Sequence, residues 1–306
     1  MAALSLAPGL NWPGVFSIPR KGASPASGRY MAAINPHKNH NPFVQAGSFP
    51  GAILVIVSVS VAMLLWEWAG RAAGFPTFIL PTPSQVWERM VQVAQDGSLL
   101  RHSWVTLQEV LAGLVIGVTL STLLGYLLAK SPAVERLLAP YIVASQSVPV
   151  VAIAPLLVIW FGSGMSSKVL ICALIVFFPV LVNTVVGLRS VPDDLRDLMR
   201  SLQATRFQMV TRLEIPAALP VLLGGLRIGA TLAVIGAVVG EFVGADRGLG
   251  FMINRARGQY DTALVFVAVI TLVIMAMTLY GLVTVMENRL LSWQKRPDQP
   301  VMTQES

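Results

Sequence analysis

Residues 189–220 read RSVPDDLRDLMRSLQATRFQMVTRLEIPAALP, and an apolar run stands on each side of them. Before them lies VLICALIVFFPVLVNTVVGL, residues 169–188, and after them VLLGGLRIGATLAVIGAVVGEF, residues 221–242. Each run is near the ~20 residues that a bilayer core demands of a helix. In hydrocarbon every backbone polar group must be satisfied within its own segment, so runs of this kind are helices. The charged loop between them is therefore a connection on one side of a membrane.

Working outward, four more spans follow the same rule: about 51–68, 110–129, 138–161 and 263–286. The third in chain order carries Pro140, Pro149 and Pro155, which should break its helix locally. The sequence thus specifies an all-α, polytopic membrane protein with six transmembrane helices over residues 49–290. A basic tail, residues 1–48, reads as disordered, and residues 291–306 form a second tail. The N-terminal tail is not read as a signal peptide, since no long apolar core follows its basic residues. Between the first two spans, Thr82-Pro83-Ser84-Gln85 has the form of a capping box. Val86, Trp87, Met90, Val91 and Ala94 then recur at helical spacing, which predicts an amphipathic helix on the membrane surface.

Composition agrees. Of 306 residues 55% are hydrophobic and 12% charged, about half the charge of a soluble domain. A net charge of +7 is spread between the spans, not gathered into a patch for nucleic acid. The loops grouped with residues 189–220 hold 14 Lys and Arg against 7 in the alternate set. By the positive-inside rule, both termini and that loop are expected in the cytoplasm, with the chain in the cell membrane. The single Cys172 excludes an internal disulfide, and no glycine is followed by lysine, so a phosphate-binding loop is absent. The three histidines lie outside the apolar runs, no embedded acidic chain suits ion coupling, and no catalytic constellation is visible.

Within the loop, Ser190 and Asp193 resemble a capping box, and Leu195, Leu198, Met199 and Leu202 fall on one helical face. Thr205 and Gln208 cap a second helix through Phe207, Val210 and Leu213, with Pro216 and Pro220 ending it before the fifth span. A helix this short is marginal alone and needs a surface for its apolar stripe. The chain's own helix ends, lipid, or a docked partner would serve.

From Asp197-Leu198-Met199-Arg200-Ser201-Leu202-Gln203-Ala204-Thr205-Arg206-Phe207-Gln208 to Ile215-Pro216-Ala217-Ala218-Leu219-Pro220, the loop resembles the EAA loop of ABC-importer permeases. Asp197 stands at that motif's glutamate and Gln203 at its glycine, a position often left-handed at a helix end. Resemblance to the nitrate, sulfonate and taurine branch covers most of residues 64–290. It rests on Ile79-Leu80-Pro81-Thr82-Pro83, Val148-Pro149, Ala154-Pro155-Leu156, Trp160-Phe161-Gly162, Gly224-Gly225-Leu226-Arg227, Glu241-Phe242 and Gly248-Leu249-Gly250. Residues 213–251 look most like permeases of riboflavin or hydroxymethylpyrimidine uptake.

The resemblance implies a permease subunit that binds no cofactor itself. ATP and Mg would sit on a partner ABC ATPase dimer, a second permease copy would complete the pathway, and an extracytoplasmic binding protein would deliver solute. The implied ATPase-coupling residues are Leu195, Asp197, Leu198, Met199, Arg200, Leu202, Gln203, Ala204, Thr205, Arg206 and Phe207. Candidates for the pathway are Gln146, Pro149, Pro155, Asn183, Gly229, Gly236, Gly240 and Glu241. For the glycines, tight packing inside the subunit is the simpler reading, since small residues at i, i+4 permit close helix approach. Asn183 suits hydrogen bonding between helices before solute contact, Arg227 suits snorkelling, and Glu241 suits a watery helix end or a pathway mouth equally. A self-contained secondary transporter or channel is the competing class, and lipid contact is common to both.

Overall fold

The computed structural model describes residues 51–72 and 76–292; the predicted tail at 1–48 and all but the first two residues of 291–306 lie outside them. Eleven α-helices follow in order among the described residues: α1 (Gly51–Ala72), α2 (Pro83–Gln95), α3 (Ser98–Lys130), α4 (Pro132–Gln146), α5 (Val150–Phe161), α6 (Met165–Arg189), α7 (Asp193–Ser201), α8 (Arg206–Met209), α9 (Ile215–Gly244), α10 (Leu249–Gly258) and α11 (Thr262–Leu290). A π-helical turn, Val210–Glu214, joins α8 to α9.

Five helices are long and apolar enough to cross a membrane, and the α4–α5 pair, bent by 95°, makes a sixth, broken crossing. Only one of that span's three prolines causes the break. Pro140 and Pro155 lie within continuous helices, whereas Pro149 caps α5 in an extended conformation. Proline also disfavours helical geometry in the residue before it, here Val148, so the chain turns at this point.

Two other expectations change. Pro216 and Pro220 do not end a helix, because α8, the π-turn and α9 run on as one rod, Arg206–Gly244. The Ile215 N–H donates to the Val210 carbonyl, an i→i+5 bond that shifts the ladder just before Pro216, where a donor is missing. The second crossing begins at Ser98 instead of Val110, so Thr106 and Glu109 belong to α3.

α6 is the central helix, packed between α3 and α9. Glycines permit this approach. A Cβ on Gly113 of α3 would lie 2.2 Å from Cys172 Cβ, and one on Gly236 of α9 would lie 2.8 Å from Cys172 Cα. The Ser121 hydroxyl reinforces the seam at the Phe177 carbonyl, 2.7 Å away. Arg227 does not snorkel freely; it pairs with Glu287 of α11 beside the Tyr280 ring. The predicted Thr82 capping box is present. Its helix α2, though, buries Val86 and Val93 within the protein core and leaves Trp87 exposed. Arg89 of α2 reaches Asp261, the N-cap of α11, at 2.8 Å.

Candidate functional site: the projecting helix pair

The loop at 189–220 forms a built surface. Ser190 is the C-cap of α6, its hydroxyl bonded to the Gly187 carbonyl, so it does not cap α7. Pro192 holds that position in an extended conformation and supplies no side-chain bond. Helix geometry at Val191 is disfavoured by the proline that follows, which delays the start of α7 to Asp193. Asp193 and Asp194 then stand at the positive end of the helix and stabilise it electrostatically.

The exit from α7 is a Schellman motif. The Ala204 N–H donates to Met199 O at 3.0 Å and the Gln203 N–H to Arg200 O at 2.9 Å. Gln203 occupies its left-handed position with φ 54°, where a side chain costs roughly 1–2 kcal/mol. Thr205 then opens α8 with the predicted capping box: Gln208 N–H to its hydroxyl, and its own N–H to Gln208 Oε1 at 2.8 Å. Arg206 and Phe207 follow directly, in the first turn.

The apolar stripe is left exposed by the described residues. Leu195, Leu198, Leu202 and Phe207 are 42%, 53%, 69% and 76% exposed, while Met199 and Ala204 are half-buried. Asp197 is also exposed and pairs with Arg200 at 2.8 Å.

Beneath this surface lies a polar anchor that the sequence does not advertise. Glu214 is 1% exposed and ion-paired to Lys130 at the end of α3. Arg196 of α7 donates to the Leu188 carbonyl at 2.9 Å and brings its Nε to 4.0 Å from Glu214. Arg189 makes a two-pronged pair with Glu135 of α4, at 2.8 and 2.6 Å. Four spans therefore hold the pair at its base. A pocket of about 240 Å³ lined by Lys130, Arg196, Arg200, Met209 and Glu214 opens beside it. A lone acid between Leu213 and Ile215 gives no periodic signal, so only its partners reveal it.

The pathway candidates separate into two groups. Gln146, Pro149 and Pro155 lie on exposed faces of the bent pair. Gly229, Gly236 and Gly240 are buried against α6, with Val176 and Val180, Cys172, and Lys168 respectively as neighbours. Asn183 bonds within its own helix, to the Pro179 carbonyl at 2.8 Å, and lies against Gly225. Glu241 does not face water; it is 1% exposed and close to a second buried acid, Glu109. The predicted second span stops short of Glu109, which becomes internal because α3 starts twelve residues before that apolar run.

The bundle thus combines a broken crossing with an anchored helix pair whose apolar stripe is exposed. The chain belongs to the family of binding-protein-dependent transport system inner membrane components, whose model matches residues 117–292. It is thus a non-enzymatic, multi-pass permease subunit of an ABC importer.

It is 45% identical over 238 residues to the riboflavin transport system permease protein RibX of Chloroflexus aurantiacus, covering 78% of this chain and 89% of that protein. It is 38% identical over 234 residues to the formylaminopyrimidine transport permease protein ThiX of Halalkalibacterium halodurans, covering 76% and 93%. Its fold is also similar to a chain in an inward-facing structure of the MetNI methionine ABC transporter. There the TM-score is 0.58 at 19% identity, covering 64% of this chain and 98% of that one.

Proposed function

We propose that this permease works as one half of a homodimeric pathway, with a cytoplasmic ABC ATPase docked on the stripe Leu195, Leu198, Leu202 and Phe207. The observation that carries this reading is the exposure of those four side chains on a helix pair anchored by Glu214 and Lys130. Such a pair moves as a lever: force applied at α7 reaches α3, α4, α6 and α9 through the anchor. Both termini lie in the cytoplasm, the side favoured by the Lys and Arg count. The bent α4–α5 pair, whose outer face is apolar and uncovered, lines the pathway with Gln146, Pro149 and Pro155. Broken helices often serve this purpose in transporters.

The solute is a small vitamin-like heterocycle of the flavin or pyrimidine class, delivered by an extracytoplasmic binding protein. Support comes from the two relatives above and from the cation inside the fifth span, Arg227, being neutralised by Glu287 of α11.

Co-purification with the ATPase tests the docking. Leu198→Asp places a charge in the contact, and an unpaired buried charge costs about 3–5 kcal/mol. The variant should lose the ATPase in pull-down and lose solute-stimulated hydrolysis while staying folded. Normal binding and hydrolysis would refute the reading.

A further inference from the structure

At the end of α9 remote from the helix pair, two carboxyls meet inside the protein. Glu109 of α3 is 2% exposed and Glu241 of α9 is 1% exposed. Glu241 accepts at both oxygens: the Thr106 hydroxyl at 2.6 Å on Oε1, and the Gly250 N–H on Oε2. The Thr106 hydroxyl itself accepts the Leu249 N–H at 2.8 Å, and of the two acceptors in reach of its proton Glu241 is nearer than the His102 carbonyl, which is 3.2 Å away. The Glu109 carboxyl lies one turn on from Thr106 along the same face of α3, beside Glu241, and its Oε2 has no partner among the described residues.

Ionised carboxylates only accept hydrogen bonds. Two of them cannot bond to each other, and here Glu241 already accepts from Thr106 and Gly250. Charge balance leads to the same place. Among the described residues, Lys168 of α6, 3% exposed, is the cation buried beside the pair; its stem packs on Gly240 and its ammonium donates to the Ser163 and Gly164 carbonyls. The other titratable groups facing the cluster are Cys172 of α6, a buried thiol, and His102 of α3, whose Nδ1 accepts the Gly248 N–H at 3.0 Å. The positive charges of Arg101, Arg247 and Arg255 also act on His102. One ammonium against two carboxylates would leave a net buried charge, which is strongly destabilising.

We infer that Glu109 and Glu241 form a buried proton-binding site, with one proton carried on Glu109 and donated to an ionised Glu241. The bound proton fastens the turn between α9 and α10 to α3. That turn lies directly on the carboxylate. Gly248 has φ 109°, and a Cβ there would sit 2.1 Å from Glu241 Oε1. The site stands independently of the transport reading, since it rests on contacts within one chain.

Infrared spectroscopy of the purified full chain in ester-free detergent tests it. At neutral pH the wild type should show the carbonyl stretch of a protonated carboxyl, displaced in D2O, and Glu109→Gln should abolish it. The amide N–H of that variant replaces the donated proton, so its melting temperature should stay near the wild type's, whereas Glu109→Ala should melt lower. A protonated-carboxyl region identical in wild type and Glu109→Gln would overturn the inference. Should the glutamine variant fail to fold, carboxyl-13C glutamate NMR of the wild type reads the same proton. A glutamate that stays protonated at neutral pH supports the site, and a spectrum of ionised carboxylates alone overturns it.

Discussion

Glu214 at the head of α9 and Lys130 at the foot of α3 are 84 positions apart in sequence and ion-paired in the structure. The acid is 1% exposed and the lysine 39%, so the pair joins a buried anchor to a half-wet tether. Arg196 completes it from α7, which makes Glu214 the point where the projecting helix pair meets the membrane bundle.

Removing that anchor separates stability from coupling. Glu214→Ala leaves Lys130 and Arg196 without their shared acid. The cost should be about 1–3 kcal/mol, below the figure for a fully buried pair because Lys130 regains water. A lowered melting temperature together with more ATP hydrolysed per solute transported is the expected outcome. Unchanged values in both would show that the lever needs no such anchor.

Gln203 offers the opposite change. Its φ of 54° suits glycine better than any residue with a Cβ. Gln203→Gly should relieve the left-handed cost, offset in part by chain entropy, for a net gain of about 0.5–1 kcal/mol. Hydrogen exchange in residues 199–205 should slow in this variant. Gln203→Val, β-branched at positive φ, should speed it.

Sidedness is open to chemical labelling. Cys172 is fully buried and unreactive, so the wild-type background serves. Leu202→Cys, at a site 69% exposed in the permease alone, should react with a membrane-impermeant maleimide only after opening cells that make the permease without its ATPase. Labelling in intact cells would invert the topology.

For the solute, calorimetry on the partner binding protein decides between classes. Riboflavin or a pyrimidine precursor should bind, and taurine, alkanesulfonates and nitrate should give no heat. Micromolar binding of a sulfonate or nitrate instead would replace the heterocycle with an anion.

Much of the fold is legible along the chain because spans and caps are local. The apolar runs at 169–188 and 221–242 declare their helices, and Thr82 with Gln85 and Thr205 with Gln208 declare their starts. The stripe is readable from spacing, since Leu195, Leu198 and Leu202 share one face, but its exposure is not, because the chain's own helix ends could have covered it. Proline misled in both directions. Pro216 reads as a stop, yet a π-turn absorbs its missing donor, and of the three prolines in the broken span only Pro149 turns the chain.

The sequence by itself determined the membrane class, the crossings and the helix pair, because hydrocarbon forces each segment to satisfy its own backbone. Tertiary structure decided which small and charged residues meet. Gly236 shows its packing partner only when Cys172 is placed against it, and Glu109, one residue before the apolar run 110–129, joins the interior only because α3 extends past it. Glu109 with Glu241, and Lys130 with Glu214, lie far apart in the chain, and only helix packing gives them shared surroundings. The energy of a buried charge depends on those surroundings, not on its neighbours in sequence.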